Sequence, residues 1–599
     1  MSMRFLRKLS VGLLSVVLIS LCQFSMASEA QNPKTLHVLF ANAEASLDPV
    51  VASDIESLSV NENIFDAMLR YDYLARPVKL VVNTLRAMPV ISDGGKTILC
   101  QIQPGFFFSE DASFQGKKRE LTAQDYVYSI KRHYDPTLKS PWLFLFNHKL
   151  LGDEKLHTKN ASGLAQFDID TPIEGLQVLD RYTLQIRLKV ADPQFLFQLA
   201  MPASAAVARE VVEHYGDQIG NHPVGTGPFM MGQWQRSFKM ELLANPHYRK
   251  VIFASSAVLD DKNRAIFAAL RDKRLPQLDR IEIKIVEEQQ SRVLGFLNRE
   301  FDYLEQLPPA LSNMVLKQMA PKPELKTALK QRGIQLALFS NLQTYYTWMN
   351  MEDPVLGGYT PEKIALRRAI ALSYNSQEDI VLMEKGLAIP AQSPLPPNVL
   401  GYDASYRSPN GYDVRLANAL LDRFGYRRDA DGYRNLPNGQ KFTLLMHSLA
   451  STTGRLRDES WRKNLNAIGV RIQFKNDKKA EIIKAARLGK VQMAEANWIA
   501  DFPDGSNFYQ LLYGPNRGLA NYARFNLPEF NALYERAISM PDDTEKQAVY
   551  HDMAQLMHAY NPWVVRTHPL STDLWHPWLK NYYRHPVEFT GWRYLDIQH

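Results

Sequence analysis

The residues best suited to chemistry lie in one short stretch, residues 497–507, which reads NWIADFPDGSN. Asp501 follows a segment of alternating apolar residues and precedes a Pro-Asp-Gly sequence. Because proline fixes φ and glycine tolerates positive φ, this sequence predicts a turn at residues 503–505, with Asp501 at the end of a strand. A carboxylate there, beside the ring of Trp498, suits a ligand cation or amine. The alternative is that Asp501 only caps the turn and that Trp498 is a core residue.

Motifs for common catalytic chemistry do not occur in the sequence. It contains no GxxxxGK[ST], GxSxG, HExxH or CxxC pattern, so nucleophile-elbow hydrolysis and zinc-type catalysis lack sequence support. The glycine-rich residues 223–229 lack the third glycine of a dinucleotide loop, since Met230 stands in its place. The histidines are scattered, and a metal or haem site is the alternative to packing or solvated roles for five of them: His551, His558, His568, His576 and His585.

The first 27 residues have the pattern of a secretory signal peptide. Arg4, Arg7 and Lys8 precede a short apolar run, small residues follow it, and the first acidic residue is Glu29. Cleavage after Ala27 would remove three basic residues and take the formal net charge from +7 to +4. No block of Lys and Arg stands out, so the charge does not point to nucleic acid.

Cysteine usage agrees with export to a bacterial periplasm. Cys22 lies in the leader, where the large Leu21 before it argues against lipidation. Cys100 is then the single cysteine of the mature chain, so no internal disulfide is expected. It alternates with Ile98 and Ile102, which predicts a buried position in a strand. A large exported chain of this kind must be stabilised by burial of its core.

Strand and helix patterns mix along the 599 residues without a strict alternation, which predicts an α/β protein of more than one lobe. Alternating residues predict strands at 34–39, 97–103, 182–190, 281–286 and 345–349. Apolar spacing and capping residues predict helices at 63–70, from Thr122, from Thr360, at 529–538 and at 545–560.

Ten segments in a fixed order carry a resemblance to a known family. They are SLDP from Ser46, NIFDAMLRYD from Asn63, ISDGGKTILCQIQPGFFFSED from Ile91, LTAQDYVYSIKR from Leu121, PVGTGPF from Pro223, LPQLDRIEIKIVEE from Leu275, RRAIALSYN ending at Asn375, SPLPP from Ser393, ANALLDRFGY from Ala417 and WIADFPD from Trp498. In these segments the chain resembles the family 5 extracytoplasmic solute-binding proteins, which include oligopeptide- and dipeptide-binding receptors of ABC importers. The resemblance covers nearly the whole mature chain.

The resemblance implies a fold as well as a family. It implies an α/β, two-lobed periplasmic binding protein of class II (cluster C type), with an extra subdomain in the N-terminal lobe and a two-segment hinge. The boundaries that we expect are 1–27 for the signal peptide, 28–75 for the first part of lobe one, 76–214 for the extra subdomain, 215–339 for the second part of lobe one, 340–560 for lobe two and 561–599 for the C-terminal return to lobe one.

The function implied is that of a monomeric periplasmic receptor without catalysis or cofactor. It would enclose a peptide between its lobes and deliver it to an ABC permease and ATPase complex at the inner membrane. In peptide-binding members an Asp three residues after a Trp pairs with the α-ammonium of the ligand, and this role carries over to Asp501. The other ligand contacts that we expect are Asn497, Trp498, Ala500, Ser46, Tyr346 and Trp348, with core packing as the alternative for the aromatic residues.

Two segments depart from the family pattern. Residues 111–120 carry the basic run Lys117-Lys118-Arg119, and residues 249–274 are longer than usual. The family also binds nickel complexes, haem, opines and sugars, so a metal complex or haem remains an alternative ligand. A periplasmic hydrolase is the alternative outside the family.

Overall fold

The structure is a computed structural model that describes residues 33–76, 78–159, 165–261, 263–318, 323–540 and 544–598. The expected signal peptide, with Cys22, lies outside the described residues. Within them, no helix is both long enough and apolar enough to cross a membrane.

The first described strand lies in the four-stranded sheet of lobe one. Thr35–Phe40 pairs in parallel with Arg280–Ile285, which pairs antiparallel with Lys239–Ala244, and Phe229–Gln235 forms the far edge. Alternate residues of the first strand are buried, as the period of two for a half-buried strand requires. The same core includes Trp592 from the end of the chain, so the C-terminal segment returns to this lobe.

A second four-stranded sheet has a core of its own and forms the extra subdomain. Its antiparallel strands are, in spatial order, Val90–Ser92, Thr97–Gln101, Thr183–Arg187 and Leu176–Asp180. Cys100 is fully buried in this sheet, as its alternation predicted, and burial raises the pKa of its thiol to about 12.

The helix Ala123–Arg132 packs into the same core, where Tyr126, Val127 and Ile130 are buried. It begins with the expected capping box, in which Thr122 and Asp125 bond to each other's backbone N–H.

One long strand belongs to both lobes. The first half of Trp563–Trp575 pairs with Gln343–Met349 and Ala388–Pro390, whereas its second half pairs with Gln335–Ser340 and Tyr303–Leu304. Since Gln335–Ser340 and Gln343–Met349 follow each other along the chain, the two connections between the lobes run side by side.

In lobe two the sheet continues from Gln343–Met349 through Met493–Ile499 and Leu444–Leu449 to Ile472–Asp477. The last three strands are parallel, so their carboxyl ends share one edge, outside which open α/β sheets bind ligands. The helices of this lobe are Pro361–Ser373, Ser376–Leu382, Val414–Arg423, Thr452–Ala467, Lys479–Arg487, Ser506–Tyr509, Pro528–Ser539 and Thr544–Tyr560.

The remaining elements are short. Among the described residues, the other α-helices are Ile55–Ile64, Phe195–Gln198, Arg209–Tyr215, Arg264–Leu270, Gln289–Leu297, Ser312–Val315 and Thr327–Gln331. The other strands are Leu69–Tyr71, Leu80–Val82, Thr158–Lys159, Ala165–Gln166, Val251–Ile252, Arg274–Leu275, Leu316–Gln318, Glu324–Leu325, Leu579–Lys580 and Asp596–Ile597.

The helix predicted at residues 63–70 is wrong. The helix there ends at Ile64, and Leu69–Tyr71 is a strand. Between them the buried Asp66 accepts hydrogen bonds from Arg249 and Thr226, which hold the chain outside a helix. This stretch is buried on all sides, so its apolar residues present no polar face from which a helical period can be read.

Both segments that depart from the family pattern are tied into lobe one. In the first, Arg119 pairs with Asp125 and Glu210. In the second, Val251–Ile252 and Arg274–Leu275 form a small two-stranded antiparallel sheet, and the core beside it includes Tyr73 and Tyr594; Lys262 lies outside the described residues.

A buried ion pair joins the loop after the first strand to the extra subdomain. Arg132 donates two hydrogen bonds of 2.8 Å to the carboxylate of Asp48, and the two side chains are only 4% and 3% exposed. Arg132→Ala leaves Asp48 charged and unpaired in the interior, so we expect it to lower the free energy of unfolding by about 3–5 kcal/mol. Urea denaturation measures this loss.

The control is Arg209→Ala, which removes exposed pairs with Asp170 and Glu213 and a contact with the ring of Tyr128, and should cost about 1 kcal/mol. Equal losses in the two variants would contradict a stabilising role for the buried pair.

Candidate ligand-binding site

Asp501 stands just beyond the carboxyl end of the strand Met493–Ile499, at the edge where the parallel strands of lobe two end. Trp498 lies opposite Thr344 on the neighbouring strand, and the backbone N–H of Ala500 donates to the carbonyl of Leu342 at 2.8 Å. The sheet therefore fixes the backbone as far as Ala500 and presents Asp501 at its edge.

One buried side-chain amide holds Trp498 and Asp501 together. The Oδ1 atom of Asn507 accepts from Trp498 Nε1 at 2.7 Å and from the backbone N–H of Asp501 at 3.2 Å. Its Nδ2 atom donates to Asp501 Oδ2 at 3.0 Å. Asn507 is 1% exposed, so its amide is a fixed support for both residues.

A second aspartate, Asp504, holds the turn between Asp501 and Asn507. Asp504 is fully buried and accepts from Lys546 Nζ at 2.8 Å, from the Tyr550 hydroxyl at 2.5 Å and from the backbone N–H of Ser506 at 2.9 Å. This carboxylate is satisfied within the lobe and stabilises the loop.

The predicted turn is present, but Gly505 does not use the positive φ that glycine tolerates. Gly505 has φ −60° and ψ −27°, which any residue can adopt. Glycine is needed for another reason, because a Cβ there would lie 2.9 Å from the ring of Tyr550 and 3.0 Å from the carbonyl oxygen of Leu400.

Among the described residues, Asp501 differs from Asp504 in having no cationic partner. In the part of the chain that the structure describes, no Lys, Arg or His nitrogen lies within 4.0 Å of its carboxylate. Asp501 is exposed as a residue, yet the surrounding protein atoms desolvate its carboxylate enough to raise its pKa, and the hydrogen bond from Asn507 only partly opposes this. The site thus presents an uncompensated carboxylate beside a tryptophan.

Tyr346 and Trp348 lie in the core of lobe two. Tyr346 is 3% exposed and stacks on Trp563 with ring centroids 3.8 Å apart, and Trp348 is 2% exposed near Tyr522. Both rings are enclosed by protein in this structure, which agrees with core packing, the alternative to ligand contact. Tyr345, on the opposite face of the strand, is half-buried.

The structure brings Asn497 and Ala500 to the same strand end as Trp498 and places Ser46 in lobe one. Asn497 is one residue from Trp498, so its side chain lies on the other face of the sheet. Ser46 Oγ accepts from the backbone N–H of Asp48 at 3.3 Å, and it lies so close to Gly220 that a Cβ there would approach it to 2.5 Å.

Four of the five candidate histidines make hydrogen bonds or ring contacts in buried positions. His558 bonds to the carbonyl of Gln392 and His568 to the hydroxyl of Thr344, and burial lowers the pKa of both to about 4. His576 bonds to a carbonyl, and the His585 ring accepts from backbone N–H groups. His551 is exposed. Among the described residues, no group of three or more His, Cys, Asp or Glu side chains is placed to hold a metal ion.

A family model described as bacterial extracellular solute-binding proteins, family 5 Middle, matches residues 80–519. The chain belongs to this family. It is 24% identical over 567 residues to Di/tripeptide-binding protein 2 of Pseudomonas aeruginosa, with 92% of each chain covered. It is 23% identical over 583 residues to Heme-binding protein A of Haemophilus influenzae, covering 95% of this chain and 94% of that one.

The fold is similar to that of a solved member, the periplasmic murein tripeptide-binding protein MppA in its unliganded open form. The TM-score is 0.71 at 19% identity, with 95% of this chain and 98% of that chain covered. This likeness establishes the two-lobed architecture of family 5 for the present chain.

The raised pKa of Asp501 leads to a prediction about stability. A carboxyl group whose folded-state pKa lies above its unfolded value destabilises the fold when ionised, and this penalty is present at neutral pH and absent below about pH 4. We expect Asp501→Asn to raise the Tm of the ligand-free protein at pH 7, with a smaller difference as the pH is lowered towards 4. Calorimetry at several pH values measures this.

The matched control is Asp403→Asn. Asp403 is also exposed, but hydrogen bonds from Ser405 lower the pKa of its carboxyl group, so its ionised form is stabilising and the variant should not gain stability. A lower Tm for Asp501→Asn at pH 7 would show that ionised Asp501 stabilises the fold, and would contradict the penalty that we assign to its desolvation.

Proposed function

We propose that the protein is a periplasmic receptor that captures short peptides between its lobes and hands them to an ABC importer. Asp501 would bind the α-ammonium of the peptide. The observation that carries this proposal is a carboxylate that has no cationic partner among the described residues and lies beside a tryptophan, at the edge outside which open α/β sheets bind ligands.

The physical requirement for such an anchor is strict. An ammonium group enclosed with little water loses its hydration and needs a close carboxylate in return, or its desolvation defeats binding. Asp501 can supply this charge because Asn507 donates to only one of its oxygens. The indole N–H of Trp498 is already bonded to Asn507, so the exposed part of Trp498 offers a ring surface rather than a donor.

The relatives support the peptide class without deciding the ligand. The Pseudomonas aeruginosa protein is named for di- and tripeptides and MppA for a murein tripeptide. The Haemophilus influenzae relative is named for haem, which makes haem the second candidate on the same fold. An anionic anchor favours a ligand with an ammonium group, and four of the five candidate histidines are already used in buried contacts.

Delivery would follow from movement of the lobes, and no catalytic step is assigned. We place the hinge at residues 341–342 and within Trp563–Trp575, where the chain passes from one lobe to the other. A ligand favours the closed form only by as much as it binds that form more tightly, so anchoring in one lobe must be joined by contacts from the other. Export by the N-terminal leader, action as a monomer and docking on a permease complete the proposal.

The proposed anchor predicts a charge-dependent affinity. Trialanine should bind more tightly than N-acetyl-trialanine by about 2–5 kcal/mol, because acetylation removes the ammonium charge from a carboxylate that would then stay unpaired. Asp501→Asn should remove most of this difference by weakening trialanine alone. Isothermal titration calorimetry measures all four affinities.

Asp403→Asn is the control and should leave both affinities unchanged. Equal binding of the two ligands by the unmodified protein would contradict the ammonium anchor. Failure of trialanine to bind would count against the short-peptide proposal itself.

A further inference from the structure

A short helix of the extra subdomain reaches the loop that follows Asp501. Phe195, at the start of the helix Phe195–Gln198, and Leu199, directly after its end, are both fully buried in the subdomain core and anchor the helix there. These residues are four apart and share one face of the helical turn. Gln194 and Phe197, which are half-buried, are left to contact lobe two.

The start of this helix is also held in place. Asp192 accepts from Lys149 Nζ at 2.9 Å and from the backbone N–H of Gln194 at 3.0 Å. Contacts within the subdomain therefore hold the chain around Gln194 in the position from which it contacts lobe two.

Two kinds of contact join the subdomain to the loop. The ring of Phe197 stacks on that of Phe502, with centroids 5.8 Å apart and planes inclined by 8°. Gln194 Nε2 donates to Asp504 Oδ1 at 3.0 Å and to the hydroxyl of Ser506. The contact thus begins at the residue directly after Asp501.

Further aromatic rings support Phe197 from behind. Tyr71 stacks on Phe197 with centroids 6.4 Å apart, and the ring of His585 lies 5.3 Å from that of Tyr71. His585 is itself fixed, because its Nδ1 atom accepts from the backbone N–H of Glu588 at 2.9 Å. A row of four rings therefore runs from lobe two through the subdomain to the C-terminal return of lobe one.

We propose that Phe197, Phe502 and Gln194 form an end wall beside Asp501, which restricts the site to ligands whose ammonium group is terminal. This inference rests on the proposed function and adds the residues that set its specificity. A ligand that continued past its ammonium nitrogen towards the subdomain would have to separate the stacked rings and break the bonds of Gln194. Ile499, on the strand side of Asp501, is 61% exposed, whereas Phe197 and Phe502 are half-buried and stacked on each other.

The wall acts by shape, whereas Asp501 acts by charge, so the two can be tested separately. N-propyl-trialanine keeps the positive charge of trialanine and adds three carbons beyond the nitrogen. The unmodified protein should bind it at least about tenfold more weakly than trialanine, a ratio within the range for excess methylenes at a packed site. Phe197→Ala should bring the two affinities to within about threefold by strengthening the binding of N-propyl-trialanine.

Two further variants complete the experiment. Gln194→Ala should weaken the discrimination in the same direction as Phe197→Ala, while leaving all rings in place. Phe144→Ala removes an exposed ring of the same subdomain and should leave both affinities unchanged, and Tm values show that each variant is folded.

The outcomes separate the wall from the anchor. Equal binding of both ligands by the unmodified protein overturns the wall, and so does full discrimination in a folded Phe197→Ala variant. In both cases Asp501 stands as the anchor if Asp501→Asn still weakens trialanine. If Asp501→Asn binds both ligands as the unmodified protein does, the anchor fails and the wall with it.

Discussion

The geometry of the candidate site depends on the side-chain amide of Asn507, which connects Trp498 to Asp501. This amide accepts the indole N–H of Trp498 and the backbone N–H of Asp501, and it donates to the carboxylate of Asp501. Because no Lys, Arg or His nitrogen of the described residues lies close to Asp501, the charge of this residue does not hold the loop in place. That task falls to Asn507 and to Asp504, which is fully buried and paired with Lys546. Asn507 and Asp504 therefore hold the loop, while the carboxylate of Asp501 has no cationic partner among the described residues, which suits the proposed role as a cation receptor.

The two lobes contribute to the site in different ways. Lobe two supplies the charge at the end of a strand, and the extra subdomain supplies a surface that meets the same loop through Phe197 and Gln194. The lobes are connected at Trp563–Trp575, which pairs with strands of both sheets, and at the adjacent residues 341–342. In the proposed function, a ligand held between the lobes would have one end defined by charge and shape together, and its affinity would be coupled to the relative position of the lobes.

Much of the local structure could be predicted from the sequence, because short-range physics decides it. The capping box at Thr122, the buried position of Cys100 and the placement of Trp498 at the end of a strand all follow from patterns a few residues long. The helix predicted at residues 63–70 is wrong because that stretch is buried on every side and its backbone is set by Asp66 and its distant partners.

The supporting parts of the site could not be predicted in the same way. Asn507 lies in the same stretch as Asp501, residues 497–507, but no local sequence pattern predicts the direction of its side-chain amide. The contact of Gln194 with Asp504 joins residues 310 positions apart, and no sequence period reports such a contact. Tyr346 and Trp348 were expected to contact the ligand, but both are buried in the core of lobe two. An aromatic residue on a strand suits the core of a lobe as well as the wall of a binding cleft, so the sequence does not distinguish the two positions.

The most direct test of the proposed ammonium receptor is to identify what the protein carries. Native mass spectrometry of the mature protein purified from a periplasmic extract, followed by denaturation, would release and identify its ligand. The account predicts a set of short peptides with free amino termini on the unmodified protein, and their loss from Asp501→Asn. A single non-peptide species such as haem, or peptides with blocked amino termini, would contradict it.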